Sequence, residues 1–186
     1  MEAVWGTAMD RLRQSGLTLP ELLIVLAIAA LLLQLVMPSY AQLLIDTRLQ
    51  NEARRLHLTL NLARVEAVTR NAMVVVCPRD PAREDRCGWD FAQGWIVFAD
   101  LNGDGEPDHL GPFGPAIIRE FPPPVADVST RSNRVRVRYR PDGSTPDNQT
   151  LTVCPRDTTL AAAWQLTLNA AGRVRLSRQP EVCRED

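Results

Sequence analysis

The chain has 186 residues, 21 of them basic and 22 acidic, for a formal net charge of −1. That length accommodates one anchoring helix and one modest soluble domain, and the sequence shows no internal repeat or second domain. Every basic residue is arginine and none is lysine, so arginine content alone is discounted as a sign of a polyanionic partner. Its distribution is more informative. Residues 39–130 hold 9 Arg against 13 acidic residues, whereas residues 131–186 hold 10 Arg against 6, an asymmetry that hints at a polyanion-facing end.

Residues 1–16 form a polar leader that carries Arg11 and Arg13 and ends in Gly16. From Leu22 to Met37 only Gln34 is polar, and counted from Leu17 this run predicts a membrane-spanning helix over 17–38. Glu21 stands at its front, where a lone charge in hydrocarbon is costly and needs a partner, a proton or a function. Two plainer readings compete. A secretory signal peptide cut after Ser39-Tyr40-Ala41 would carry Glu21 at the edge of its apolar core, behind an unusually long leader. A plain membrane anchor gives no reason for Gly16 and Glu21 at this spacing.

Gly16-Leu17-Thr18-Leu19-Pro20-Glu21 and the apolar run behind it resemble the processing site of type IV prepilins and pseudopilins. The resemblance implies that a prepilin peptidase cuts between Gly16 and Leu17 and methylates the new N-terminus. It also implies that Glu21 pairs with the N-terminal ammonium of a neighbouring subunit, and that Pro38 is a helix-kinking proline. Leu17 replaces the more usual phenylalanine. Pro20 replaces an aliphatic residue, a mild change because proline suits a helix's first turn, where its missing N–H has no intrahelical partner.

Beyond Pro38 the pattern becomes amphipathic: Leu49, Leu56, Leu60, Ala63 and Ala67 share a face, with Arg48, Glu52, Arg55, Glu66 and Arg70 largely elsewhere. One long helix from about Pro20 to Asn71 is expected, half in membrane and half packed on a head, with His57 on its surface or boundary. Strands are then expected at Met73–Cys77, Gly94–Ala99, Ala116–Phe121, Val135–Tyr139, Leu151–Cys154, Trp164–Leu168 and Arg173–Leu176. The expected fold is therefore α+β, a long helix on a mostly antiparallel β head spanning 39–186, which the prepilin resemblance implies faces the periplasm.

Trp89, Gly94-Trp95-Ile96-Val97-Phe98, Asp100 and Asn102-Gly103 resemble the FimT/GspH family of minor pilins and pseudopilins. That implies a head of two small sheets in a subunit of a type IV pilus or a type II secretion pseudopilus. Its partners would be other pilins, met through the N-terminal helix, and the inner membrane. In an exported chain, Cys77, Cys87, Cys154 and Cys183, with no C-x-x-C pair, favour disulfides over metal ligation. Of three possible connectivities, Cys77–Cys87 with Cys154–Cys183 is the expected one. No cofactor is expected.

Three stretches bear on chemistry. Asp100-x-Asn102-x-Asp104-Gly105 opens like an EF-hand calcium loop, but Gly111 stands where the bidentate glutamate belongs, and the reading favoured is a structural turn. His57 and His109 lack a nucleophile signature around them, so no enzyme is expected. Arg134, Arg136, Arg138 and Arg140 alternate with Val135, Val137 and Tyr139, which places four mutually repelling guanidiniums on one strand face. An outer solvated strand explains them, as does relief of the repulsion by acidic neighbours or by a polyanion. Gly172-Arg173-Val174-Arg175, with Arg178 beyond, resembles a C-terminal motif of FimT-type minor pilins linked to DNA capture in natural transformation. The expected DNA-contacting residues are therefore Arg173, Arg175 and Arg178, extended by Arg134 to Arg140, gripping phosphates of double-stranded DNA without reading sequence. The alternative is a structural pseudopilin of a type II protein secretion system that binds no nucleic acid.

Overall fold

A computed structural model describes residues 18–83, 85–108, 117–124, 127–146, 148–156, 163–179 and 183, with the side chains of 35–39 set aside. The expected cleavage site between Gly16 and Leu17, the leader before it, Ala116 and His109 lie outside the described residues.

The chain divides into two compact units, Met1–Ala41 and Gln42–Asp186, and helix α1 (Leu19–Arg70) contributes to both. In the first unit the apolar side chains from Leu19 to Leu33 are exposed, and so is Glu21. Among the described residues no helix is long and apolar enough to cross a membrane. The expected span over 17–38 includes Leu17 and the side chains of 35–38, which lie outside the described residues.

In the second unit α1 lays Leu49, Ala53, Leu56, Leu60, Ala63 and Ala67 into the core, all of them buried, as their spacing predicts. Glu52 departs from expectation. It is 94% buried, with Arg55 one turn on at 3.5 Å. Arg55 also lies over the Trp95 ring, 4.2 Å from its centroid, and donates to the Pro122 carbonyl.

The head has two antiparallel four-stranded sheets. The first comprises β1 (Met73–Pro78), β2 (Trp95–Asp100), β3 (Ile117–Phe121) and β5 (Val137–Tyr139), in the order β3-β2-β1-β5. The second comprises β4 (Val128–Ser132), β6 (Gln149–Pro155), β7 (Ala163–Leu168) and β8 (Val174–Gln179), in the order β4-β6-β7-β8. Val74, Val76, Trp95 and Val97 of the first sheet meet Leu151, Val153, Leu166 and Leu168 of the second in one core with α1. Trp95 donates its indole N–H to the Thr59 hydroxyl at 3.2 Å inside that core.

β6 and β8 run longer than expected, β8 starting only after Arg173, and two further elements differ. β4 has no counterpart in the sequence reading, because only Val128 and Thr130 of Val-Ser-Thr-Arg-Ser turn inward and the apolar signal is too thin. β5 is shorter than 135–139. The backbone just before it is held by the second sheet, Asn133 N–H donating to Thr150 O and the Gln149 amide to Arg134 O, so the strand reaches β1 only at Val137.

Cys77–Cys87 and Cys154–Cys183 are bonded, the expected pairing. The first closes the loop after β1. The second brings Cys183 against Cys154 and Ala163, fastening that residue to the second sheet.

Candidate nucleic-acid interface

β8 is an edge strand whose register sets the arginines. Val174 faces Leu168 and Leu176 faces Leu166, both packing toward the core, while Arg175 faces Thr167 on the other side of the sheet. Arg173 and Arg175 are exposed and have no carboxylate partner among the described residues. Arg178 shares the side of Val174 and Leu176 by strand alternation. It reaches Asp46 on α1 at 3.1 Å. It is therefore tied to the helix rather than grouped with Arg173 and Arg175.

Gly172 begins the motif for a steric reason. Its φ is +74°, and a Cβ there would fall 2.0 Å from the Gly143 carbonyl oxygen. Gly143, at φ +75°, sits in the turn between β5 and β6, so the two turns touch backbone to backbone. Arg64 of α1 bridges them, donating from Nε to Gly143 O at 3.0 Å and from its terminal nitrogen to Ala171 O at 3.1 Å. Thr145 N–H completes the seam by donating to Ala170 O at 3.0 Å.

The β5 arginines occupy different surroundings. Arg136 pairs with Glu106 of the loop after β2, and Glu106 also accepts the Cys87 amide at 3.1 Å. Arg134, Arg136 and Arg138 share a cleft of about 370 Å³ with Asp100 and Asp104, so acidic neighbours meet this arginine face. Arg140, beyond the strand's end, is exposed at the β5–β6 turn.

The Asp100–Asp108 loop builds a turn with its own carboxylates. Asp100 accepts the amides of Gly103 at 2.8 Å and Gly105 at 3.1 Å, Asp104 accepts Glu106 N–H at 2.8 Å, and Asp108 accepts Leu101 N–H at 2.8 Å. Burial pushes the Asp100 carboxyl up, and those two glycine amides partly offset the push. Among the described residues no group of three or more His, Cys, Asp or Glu is arranged to hold a metal ion.

Comparison with known proteins accords with this architecture. The family model described as Type II transport protein GspH matches residues 52–172. The chain belongs to the GspH family. A second model, the prokaryotic N-terminal methylation motif, matches residues 11–33. The type IV minor pilin FimU of Pseudomonas aeruginosa (strain PAO1) superposes with a TM-score of 0.55 at 20% identity, over 71% of this chain and 90% of that one. The minor pseudopilin EpsH of the Vibrio cholerae type 2 secretion system superposes with a TM-score of 0.51 at 13% identity, over 70% and 96%. At such identities the likeness is one of fold. A search of curated proteins finds no match. As a GspH-family chain with a methylation motif, the protein is a subunit of the minor pilin and pseudopilin type, a structural rather than enzymatic class.

Proposed function

We propose that this GspH-family chain is a minor type IV pilin whose head captures DNA, without sequence preference, for uptake in natural transformation. Prepilin peptidase would release Leu17 as a methylated N-terminus and leave the subunit in the inner membrane, head in the periplasm, until filament assembly pairs Glu21 with a neighbour's ammonium. The observation that carries the DNA reading is the pair of exposed guanidiniums, Arg173 just ahead of edge strand β8 and Arg175 within it, with no carboxylate partner among the described residues. Planar guanidinium forks suit phosphate oxygens, and such contacts bind by charge.

The test uses the full chain in neutral detergent and fluorescent duplexes of unrelated sequence. Binding is expected to be alike across duplexes and to weaken steeply with salt. Arg173→Gln with Arg175→Gln should lower affinity and flatten the log–log salt slope by about one to two units, at about 0.9 unit per neutralised phosphate. Unchanged binding by a folded double variant removes this site. The second reading, a secretion-system pseudopilin with protein partners alone, is favoured by the match to the Type II transport protein GspH family and by the EpsH likeness. Failure of the wild-type chain to bind duplex even at low salt would decide for it.

A further inference from the structure

We infer that the phosphate-binding surface does not end at β8 but crosses the seam between the two sheets onto the β5–β6 turn, where Arg140 supplies a third guanidinium. This rests on the DNA reading above and concerns how that site is built.

The argument starts from the two touching turns. Gly143 N–H donates to Arg140 O at 2.8 Å, closing a tight turn from Arg140 to Gly143, and Arg140 N–H donates to Ser144 O at 2.8 Å. Gly172 N–H donates to Asn169 O at 2.8 Å, closing a matching turn from Asn169 to Gly172. The first turn is entered by Arg140 and the second is left by Arg173. With Gly143 O lying where a Gly172 Cβ would be, the two turns are held at backbone contact, so Arg140 and Arg173 flank one seam.

Electrostatics acts in both directions here. The Gly143 and Ala171 carbonyls, whose oxygens would repel an anion, are both taken by the Arg64 guanidinium. Asp142 is the acid within the turn. Its carboxylate accepts Ser144 N–H at 2.9 Å, and Ser144 before Arg140 holds it below the usual carboxylate range, so it stays ionised and offsets part of the Arg140 charge. Arg138, two residues earlier, stands opposite Val75 and lines the cleft with Asp100 and Asp104. The strand's arginines thus divide at Tyr139, with Arg134 to Arg138 beside the acidic loop and Arg140 beside the Gly-Arg-x-Arg turn.

The experiment compares Arg140→Gln, Arg140→Lys, Arg138→Gln and Arg173→Gln in the full chain, each titrated with one mixed-sequence duplex over a range of salt. Arg140→Gln is expected to lower affinity as Arg173→Gln does and to flatten the salt slope by about 0.9 unit, one phosphate's worth. Arg140→Lys keeps the charge and should restore most of the slope, while Arg138→Gln should bind as wild type. Wild-type binding by Arg140→Gln alongside weakened Arg173→Gln confines the site to β8 and overturns the inference, leaving the DNA reading intact. Equal losses from Arg138→Gln and Arg140→Gln overturn it too, by placing the site on the strand face. No binding by the wild-type chain removes the DNA reading and this inference together.

Discussion

Glu106 and Arg136 form an ion pair across the edge of the first sheet, joining the loop after β2 to the chain entering β5. Both side chains are more than a third exposed, so the pair itself contributes on the order of 1 kcal/mol or less. Its larger consequence is that one of the four alternating arginines has an acid of its own. Arg136→Gln is expected to leave duplex binding unchanged while lowering the thermal midpoint slightly. A loss of DNA affinity in a variant with unaltered melting would return this arginine to the binding surface.

A pH-dependent stability is expected from Glu52. Burial raises its carboxyl above the ordinary value of 4.5, against the opposing pull of Arg55. Below 4.5 the group is protonated in both folded and unfolded chains. As pH rises through the raised native value, the unfolded chain gives up its proton first, so the folded state loses stability over that interval. Glu52→Gln should flatten this part of the curve. Urea midpoints taken every half unit from acid to neutral pH check it, and parallel curves for variant and wild type would contradict it.

The Trp95–Thr59 bond gives a prediction about the core. Thr59→Val keeps the volume but leaves the buried indole N–H without its acceptor, at a cost of about 1–3 kcal/mol. Chemical denaturation of the two proteins measures it. A difference near zero would mean that the indole finds another acceptor.

The two disulfides should differ in weight. Closing 29 residues, Cys154–Cys183 is worth about 3–4 kcal/mol on loop entropy, and Cys77–Cys87, closing 10, about 2.5–3 kcal/mol. Paired serine replacements at 154 and 183 should therefore cost more than those at 77 and 87. The reverse order would show that strain or residual structure outweighs chain entropy.

Processing is expected to leave Leu17 as a methylated N-terminus, and Gly16→Val should block the cut. Mass spectrometry of the mature protein decides, and a chain beginning at Gln42 would instead establish the signal-peptide reading.

The helix stripe from Leu49 to Ala67 and the apolar strands were legible in the sequence, because burial on one face leaves a period. The surroundings of the arginines were not. Alternation placed Arg134 to Arg140 on one face, but the acids that meet it come from a loop some thirty residues earlier, a long-range fact that no local pattern carries. Arg178 reads as one more cation of the tail until its partner, Asp46 on α1, is seen. Gly172 was visible as part of a motif, but its necessity lies in the Gly143 carbonyl, which arrives from another hairpin. Glu52 looked like one more charge of the polar face. Only the Pro122 segment and Trp95, both meeting its neighbour Arg55, reveal how far inside the head that turn lies.

The pairing of β1 with β5 also constrains how the protein is made. Val74 to Val76 are wholly buried and bond to Val137–Tyr139 along one edge. Until Tyr139 has emerged where the head folds, that edge and its apolar side chains have nothing to close against, although β2 is already available on the other side. A head cut short there is an open, sticky strand, the form most prone to pair with another copy. Chains truncated between β3 and β5 should aggregate more than chains truncated after β8.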